Sequence, residues 1–74
     1  MNARFFINEI LYDGLEGIST SVVMSAPKHK TSEEKMRRIC QEMKNNSKPR
    51  FNQKIEFELW VTHESGTQER IYGV

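Results

Sequence analysis

The clearest pattern in the chain lies near its end, where Ile55, Phe57, Leu59 and Val61 alternate with Glu56, Glu58, Trp60 and Thr62. A period of two places one set on each face of a half-buried strand. His63 to Gln68 then supplies polar turn chemistry. Arg70-Ile71-Tyr72-Gly73-Val74 is rich enough in β-formers to return antiparallel, so the pattern predicts a terminal hairpin.

Upstream the period changes. Met36, Ile39, Cys40 and Met43 recur at i, i+3, i+4 and i+7 and predict one amphipathic helix over about residues 32–45. Thr31 with Glu34 three residues on reads as a capping box, and Glu33 and Glu34 in the first turn suit the positive end of the helix dipole. Asn45, Asn46 and Pro49 stop the helix after Lys44.

Before the helix, Ile18, Thr20, Val22 and Met24 alternate with Ser19, Ser21, Val23 and Ser25, which predicts a strand with one apolar face, closed by Pro27. Residues 4–12 carry two signals. Phe6, Ile7, Ile10 and Leu11 fit a helix face, whereas Phe, Ile and Tyr at this density favour a strand, and the strand is the reading adopted. Asp13, Gly14 and Gly17 make the connecting turn.

The order is therefore ββαββ, an α+β domain over residues 1–74 with a four-stranded, mainly antiparallel sheet and one helix packed on one face. If the first and last strands pair in the centre, the arrangement is β-grasp-like; a simple antiparallel sheet under one helix is the close alternative. A helical segment 4–12 would instead give three strands and two helices.

Composition narrows the class. At 74 residues, with 36% hydrophobic and 28% charged residues, the chain has room for one small core. The longest apolar run, Phe5-Phe6-Ile7, is far short of the roughly 18 residues of a membrane span. The start of the chain has no hydrophobic region of a secretory signal, so cytoplasmic residence without membrane contact is expected. The single cysteine, Cys40, lies on the apolar stripe of the helix and reads as a core residue. With His29 and His63 it has no metal-ligand spacing, so no metal and no cofactor are expected.

The net charge of +1 conceals a segregation. Residues 28–54 hold nine basic side chains against Glu33, Glu34 and Glu42, a local charge of +6, and the rest of the chain sums to −5. Lys28, Lys30, Lys35, Arg37, Arg38, Lys44, Lys48 and Arg50 are therefore candidates for binding an anion or nucleic acid, since such residues displace condensed counterions from phosphates. Solvation of an exposed helix, helped by the i, i+4 pair of Glu34 and Arg38, explains part of the same pattern.

On the other side of the sheet, Glu56, Glu58 and Trp60 share a strand face, and with Glu64 and Tyr72 they form a candidate acidic and aromatic surface for a protein partner. Two copies could meet through this face or edge to edge as a homodimer. No phosphate-binding glycine loop or nucleophile elbow is present. His63 and Glu64 near Arg70 leave a remote alternative, a small ribonuclease working by general acid and base.

The expected function is thus a non-enzymatic protein-binding adaptor or inhibitor, of the kind phages and mobile elements encode against host nucleic-acid-handling or defence proteins. A nucleic-acid-binding module built on the basic segment is the alternative.

Overall fold

The computed structural model describes residues 2–74. Four strands, β1 (Arg4–Asp13), β2 (Gly17–Pro27), β3 (Gln53–Thr62) and β4 (Gln68–Gly73), form one antiparallel sheet in the order β2-β1-β3-β4. The helix α1 (Glu33–Asn46) follows a short 3-10 turn at Lys28–Lys30 and crosses one face of the sheet. The central pair is β1 and β3, with β4 at the edge. The β-grasp pairing of first and last strands does not form, and the simple antiparallel sheet does.

Residues 4–13 are a strand because both of their faces are apolar. Phe5 and Ile7 point to the helix and are buried, while Phe6 and Ile10 point the other way. Their neighbours in the sheet confirm the split: Phe5 pairs with Val61 and Ile7 with Leu59, whereas Phe6 pairs with Trp60 and Ile10 with Glu56. Apolar residues on alternating sides of a strand mimic the i, i+3, i+4 spacing of a helix face.

The core consists of Phe5 and Ile7 from β1, Met36 and Cys40 from α1, and Phe57, Leu59 and Val61 from β3. Ile39, Met43, Ile55, Ile71 and Tyr72 pack around it, half-buried. No polar side chain is buried among the described residues. The molecule measures 39 × 22 × 15 Å, the thin form of one helix laid on one sheet with nothing beneath.

Two details differ from the pattern in the sequence. The expected single apolar face of β2 is broken by a bulge: Ile7 pairs with Met24 and Asn8 with Val22, leaving Val23 unpaired between them. Met24 therefore faces the helix side while Ile18, Thr20 and Val22 face away. The helix cap also moves by one residue. Ser32, not Thr31, takes the N-cap position, and its Oγ accepts from the Lys35 backbone N–H at 3.1 Å.

Ser32→Ala is accordingly expected to cost about 1 kcal/mol, seen as a lower urea midpoint at unchanged slope. Thr31→Ala should stay within about 0.5 kcal/mol of the parent. A larger loss at Thr31 than at Ser32 would reverse the cap assignment.

Candidate interaction surface

One helix covers one face of the sheet, and it packs on β3 and β1, leaving the opposite face bare. On that bare face the pairings set up rows across β3, β1 and β2: Trp60 beside Phe6, Glu58 beside Asn8 and Val22, Glu56 beside Ile10 and Thr20, and Lys54 beside Tyr12 and Ile18. Most of the charge on this face thereby falls on β3 and β4, with Arg4 at the start of β1 donating to Ser25 Oγ, and the rest of β1 and β2 presents the apolar part. Ile18 and Val22 are 69% and 61% exposed, too open to serve any internal packing.

The aromatic centre of this face is a stack. The rings of Phe6 and Trp60 lie with centroids 6.2 Å apart and planes within 13°, in the range where aromatic pairs attract. Trp60 Nε1 donates to Glu58 Oε1 at 3.3 Å, and Glu58 Oε2 accepts from the Arg70 guanidinium at 2.8 Å. Lys54 sits 3.6 Å from Glu56 and 5.7 Å from the Tyr12 ring centroid. A hydrogen bond to Glu56, partial desolvation and the negative charges of Glu56 and Glu58 push the Tyr12 phenol above its usual pKa, so it stays protonated at neutral pH.

The surface expected from the sequence thus changes in composition. Glu56, Glu58 and Trp60 do share the bare face, but both carboxylates are paired with cations, so the face is aromatic and apolar with a neutralised border. Tyr72 is not part of it. It pairs with Leu59 on the helix side, donates its hydroxyl to Gln41 Oε1 at 3.1 Å, and lies under the Arg37 guanidinium at 5.2 Å. Glu64 is in the β3–β4 turn, exposed, beside a shallow pocket of about 390 Å³ lined also by Asn2, Ala3, Lys28 and His29.

The basic segment does not form one face either. Arg37 bonds Glu33 at 2.9 Å and the Ile71 carbonyl at 3.2 Å, and Lys44 donates to the Ile55 carbonyl at 2.5 Å. Lys35 and Arg38 remain exposed on the helix with Glu34 and Glu42 among them, which cancels their charge locally. Lys28 and Lys30 lie before the helix and Lys48 and Arg50 after it, and a helix of 14 residues separates the two groups by about 21 Å.

Sequence reasoning missed the sheet's far end. Phe51 is 94% exposed and Leu15 87%, each at the tip of a turn. The two turns are tied together, since the Gly14 N–H donates to the Asn52 carbonyl at 2.9 Å. Asn52 holds φ at 75°, the left-handed value that Asn tolerates better than most residues. A lone Phe beside Arg50 in a Pro- and Asn-containing loop was the available signal.

Asp13 holds that end in shape. One carboxylate oxygen accepts from the Leu15 and Glu16 backbone N–H groups, and the other from Gln53 Nε2 at 2.9 Å. The Gln53 bond and the two backbone bonds hold the Asp13 pKa below the usual carboxylate value. A group whose pKa is lowered on folding stabilises the fold above its unfolded value, about 3.9, and loses that contribution as pH falls through the folded value. The urea midpoint is therefore expected to fall as pH drops below about 4, and Asp13→Asn should flatten that acid limb. An unchanged acid limb in the variant would assign the effect to other carboxylates.

The three residues of the ribonuclease alternative have separate commitments. His63 Nε2 lies 3.1 Å from Glu69, Arg70 is held by Glu58, and Glu64 stands beside Lys28 and His29. Among the described residues no three His, Cys, Asp or Glu side chains group as metal ligands. Nor is any helix long and apolar enough to cross a membrane. Compared with protein-family models, curated proteins and solved structures, the chain matches none.

Proposed function

We propose that the chain is a non-enzymatic protein-binding module, an adaptor or inhibitor that docks on a larger protein through the bare face of its sheet. The Phe6–Trp60 stack carries this reading, because it sits half-buried on a face that no layer covers, next to the exposed Ile18 and Val22 of the same face. Trp and Tyr dominate binding energy where a partner can exclude water from them, and here Trp60 with Phe6 and Tyr12 with Ile10 lie along one surface. The Lys54–Glu56 and Arg70–Glu58 pairs form a polar border, the usual surround of such a centre.

The test compares four immobilised proteins, the parent, Trp60→Ala, Tyr12→Ser and the double variant Lys48→Glu/Arg50→Glu, in capture from a cell extract. The expected result is a defined protein retained by the parent and the charge variant and reduced at least tenfold by Trp60→Ala. Tyr12→Ser, which leaves the stack and the core intact, should reduce the same protein and guards against misfolding of Trp60→Ala. Equal retention by all four proteins would overturn the reading.

A second reading has one observation in its favour. Phe51 projects freely beside Arg50, with Lys48 and Lys54 close in sequence, and an exposed aromatic among cations is a stacking platform for single-stranded nucleic acid. Labelled oligonucleotides at about 50 and 200 mM salt separate the two. Binding that weakens steeply with salt and vanishes in Lys48→Glu/Arg50→Glu moves the function to the loop end.

A further inference from the structure

The two edges of the sheet are guarded very differently. β4 is six residues long, carries Glu69 and Arg70, and has one of its carbonyls, that of Ile71, taken by the Arg37 side chain. β2 is eleven residues long, Gly-Ile-Ser-Thr-Ser-Val-Val-Met-Ser-Ala-Pro, without one charged residue. Soluble proteins blunt an edge with short strands, charges, proline or bulges, because an open ladder of N–H and C=O groups recruits another strand. β2 has Pro27 only at its end and its bulge at Val23, which leaves Gly17–Val22 as a regular, unprotected stretch. The helix lies over β3 and β1 and does not screen it.

That stretch is self-complementary. Ile18-Ser19-Thr20-Ser21-Val22 reads as apolar, small, Thr, small, apolar in either direction. Antiparallel pairing of two copies about a two-fold axis at Thr20 sets Ile18 opposite Val22 of the other copy, Ser19 opposite Ser21, and Thr20 opposite Thr20. Ile18, Thr20 and Val22 share the bare face, so both Ile–Val contacts and the Thr–Thr contact form there. The most exposed aliphatic side chains of the sheet, Ile18 and Val22, are covered by this pairing. No like charges meet, because β2 carries no charged residue. A two-fold contact uses the same patch on both partners and closes on itself, which turns an aggregation-prone edge into a finite assembly.

We propose that β2 is a homodimer edge, joining two copies of this chain through Gly17–Val22 into one continuous eight-stranded sheet centred on Thr20. The bare faces of the two copies then run together, placing two Phe6–Trp60 stacks on one surface. The proposal does not depend on what that surface binds.

Sedimentation and cross-linking through an introduced surface cysteine test it, with the native Cys40 buried out of reach. The parent is expected to sediment at twice its 8.7 kDa mass at about 100 μM, and Thr20→Lys, which sets two ammonium groups against each other, should weaken the dimer at least tenfold. Thr20 is exposed, and an unchanged urea midpoint of the monomer shows that the variant folds. In Thr20→Cys, residues directly opposite have Cβ atoms about 4.5–5.5 Å apart, within reach of a disulfide after modest adjustment. Oxidised glutathione should therefore cross-link Thr20→Cys faster than Ser21→Cys, which opposes Ser19, and should leave Ser65→Cys monomeric. A monomeric parent at that concentration overturns the proposal, and so does a dimer that survives Thr20→Lys or cross-links best at Ser65→Cys.

Discussion

Leu59→Ala is expected to cost about 2–5 kcal/mol, the range for truncating a fully buried leucine, and to leave much of the protein unfolded at 25 °C. Leu59 has no exposed surface and sits at the middle of the central strand β3, between Ile7 on β1 and Tyr72 on β4. Met36 and Cys40 belong to the same cluster on the helix side. With only seven buried side chains in the core, the space left by the missing atoms has few neighbours able to move in. A domain of this size has about 3–5 kcal/mol in total, so one such loss approaches the whole of it. Circular dichroism in urea gives the comparison, with Val22→Ala on the bare face as the control, expected within about 1 kcal/mol of the parent at monomeric concentration. A loss below about 1 kcal/mol at Leu59 would mean that the helix is not seated on β3 as described.

The elements were legible where one period dominated. Ile55, Phe57, Leu59 and Val61 face the helix as their alternation implies, and the Met36, Ile39, Cys40, Met43 stripe faces the sheet. Residues 4–12 are ambiguous for a physical reason: β1 is central, one of its faces lies under the helix and the other supports the Phe6–Trp60 stack, so both sets are apolar. The cap was misplaced by one residue because Thr31 and Ser32 are equally good cap residues, and only the exit geometry of the 3-10 turn chooses between them.

The surfaces were less legible, because their chemistry depends on pairings far apart in sequence. Glu58 and Arg70 meet across β3 and β4, and Arg37 reaches β4 from the helix. Each pairing removes charge from a face that the linear sequence shows as charged. Tyr72 was assigned to the Trp60 face because parity along β4 could not be counted through its bulge: Leu59 pairs with Tyr72 but Trp60 with Arg70, which skips Ile71. Strand order was undetermined for the same reason, since connectivity alone does not choose between β1–β3 and β1–β4 as the central pair.

Cys40 makes the helix–sheet contact open to chemical measurement. Its thiol has no exposed surface, and burial, helped by the negative charge of Glu58, pushes its pKa above the usual value. Because the folded pKa is raised, the contribution to stability is fully present below the unfolded thiol value, about 8.5, and is lost as pH rises through the folded one. The urea midpoint is expected to decline above about pH 8.5, and Cys40→Ala should flatten that alkaline limb. Cys40→Ser should cost about 1–3 kcal/mol at neutral pH, since it introduces a more strongly solvated hydroxyl into an apolar site; its best partner there is the helix carbonyl four residues back. The same burial should slow labelling by a disulfide reagent at pH 8 in proportion to the population of open molecules, and Leu59→Ala should speed it by the factor that its loss of stability implies. Labelling of the parent as fast as an unfolded control would show that the helix does not hold Cys40 against Leu59 and Ile7, and the core assigned to β1, α1 and β3 would fall with it.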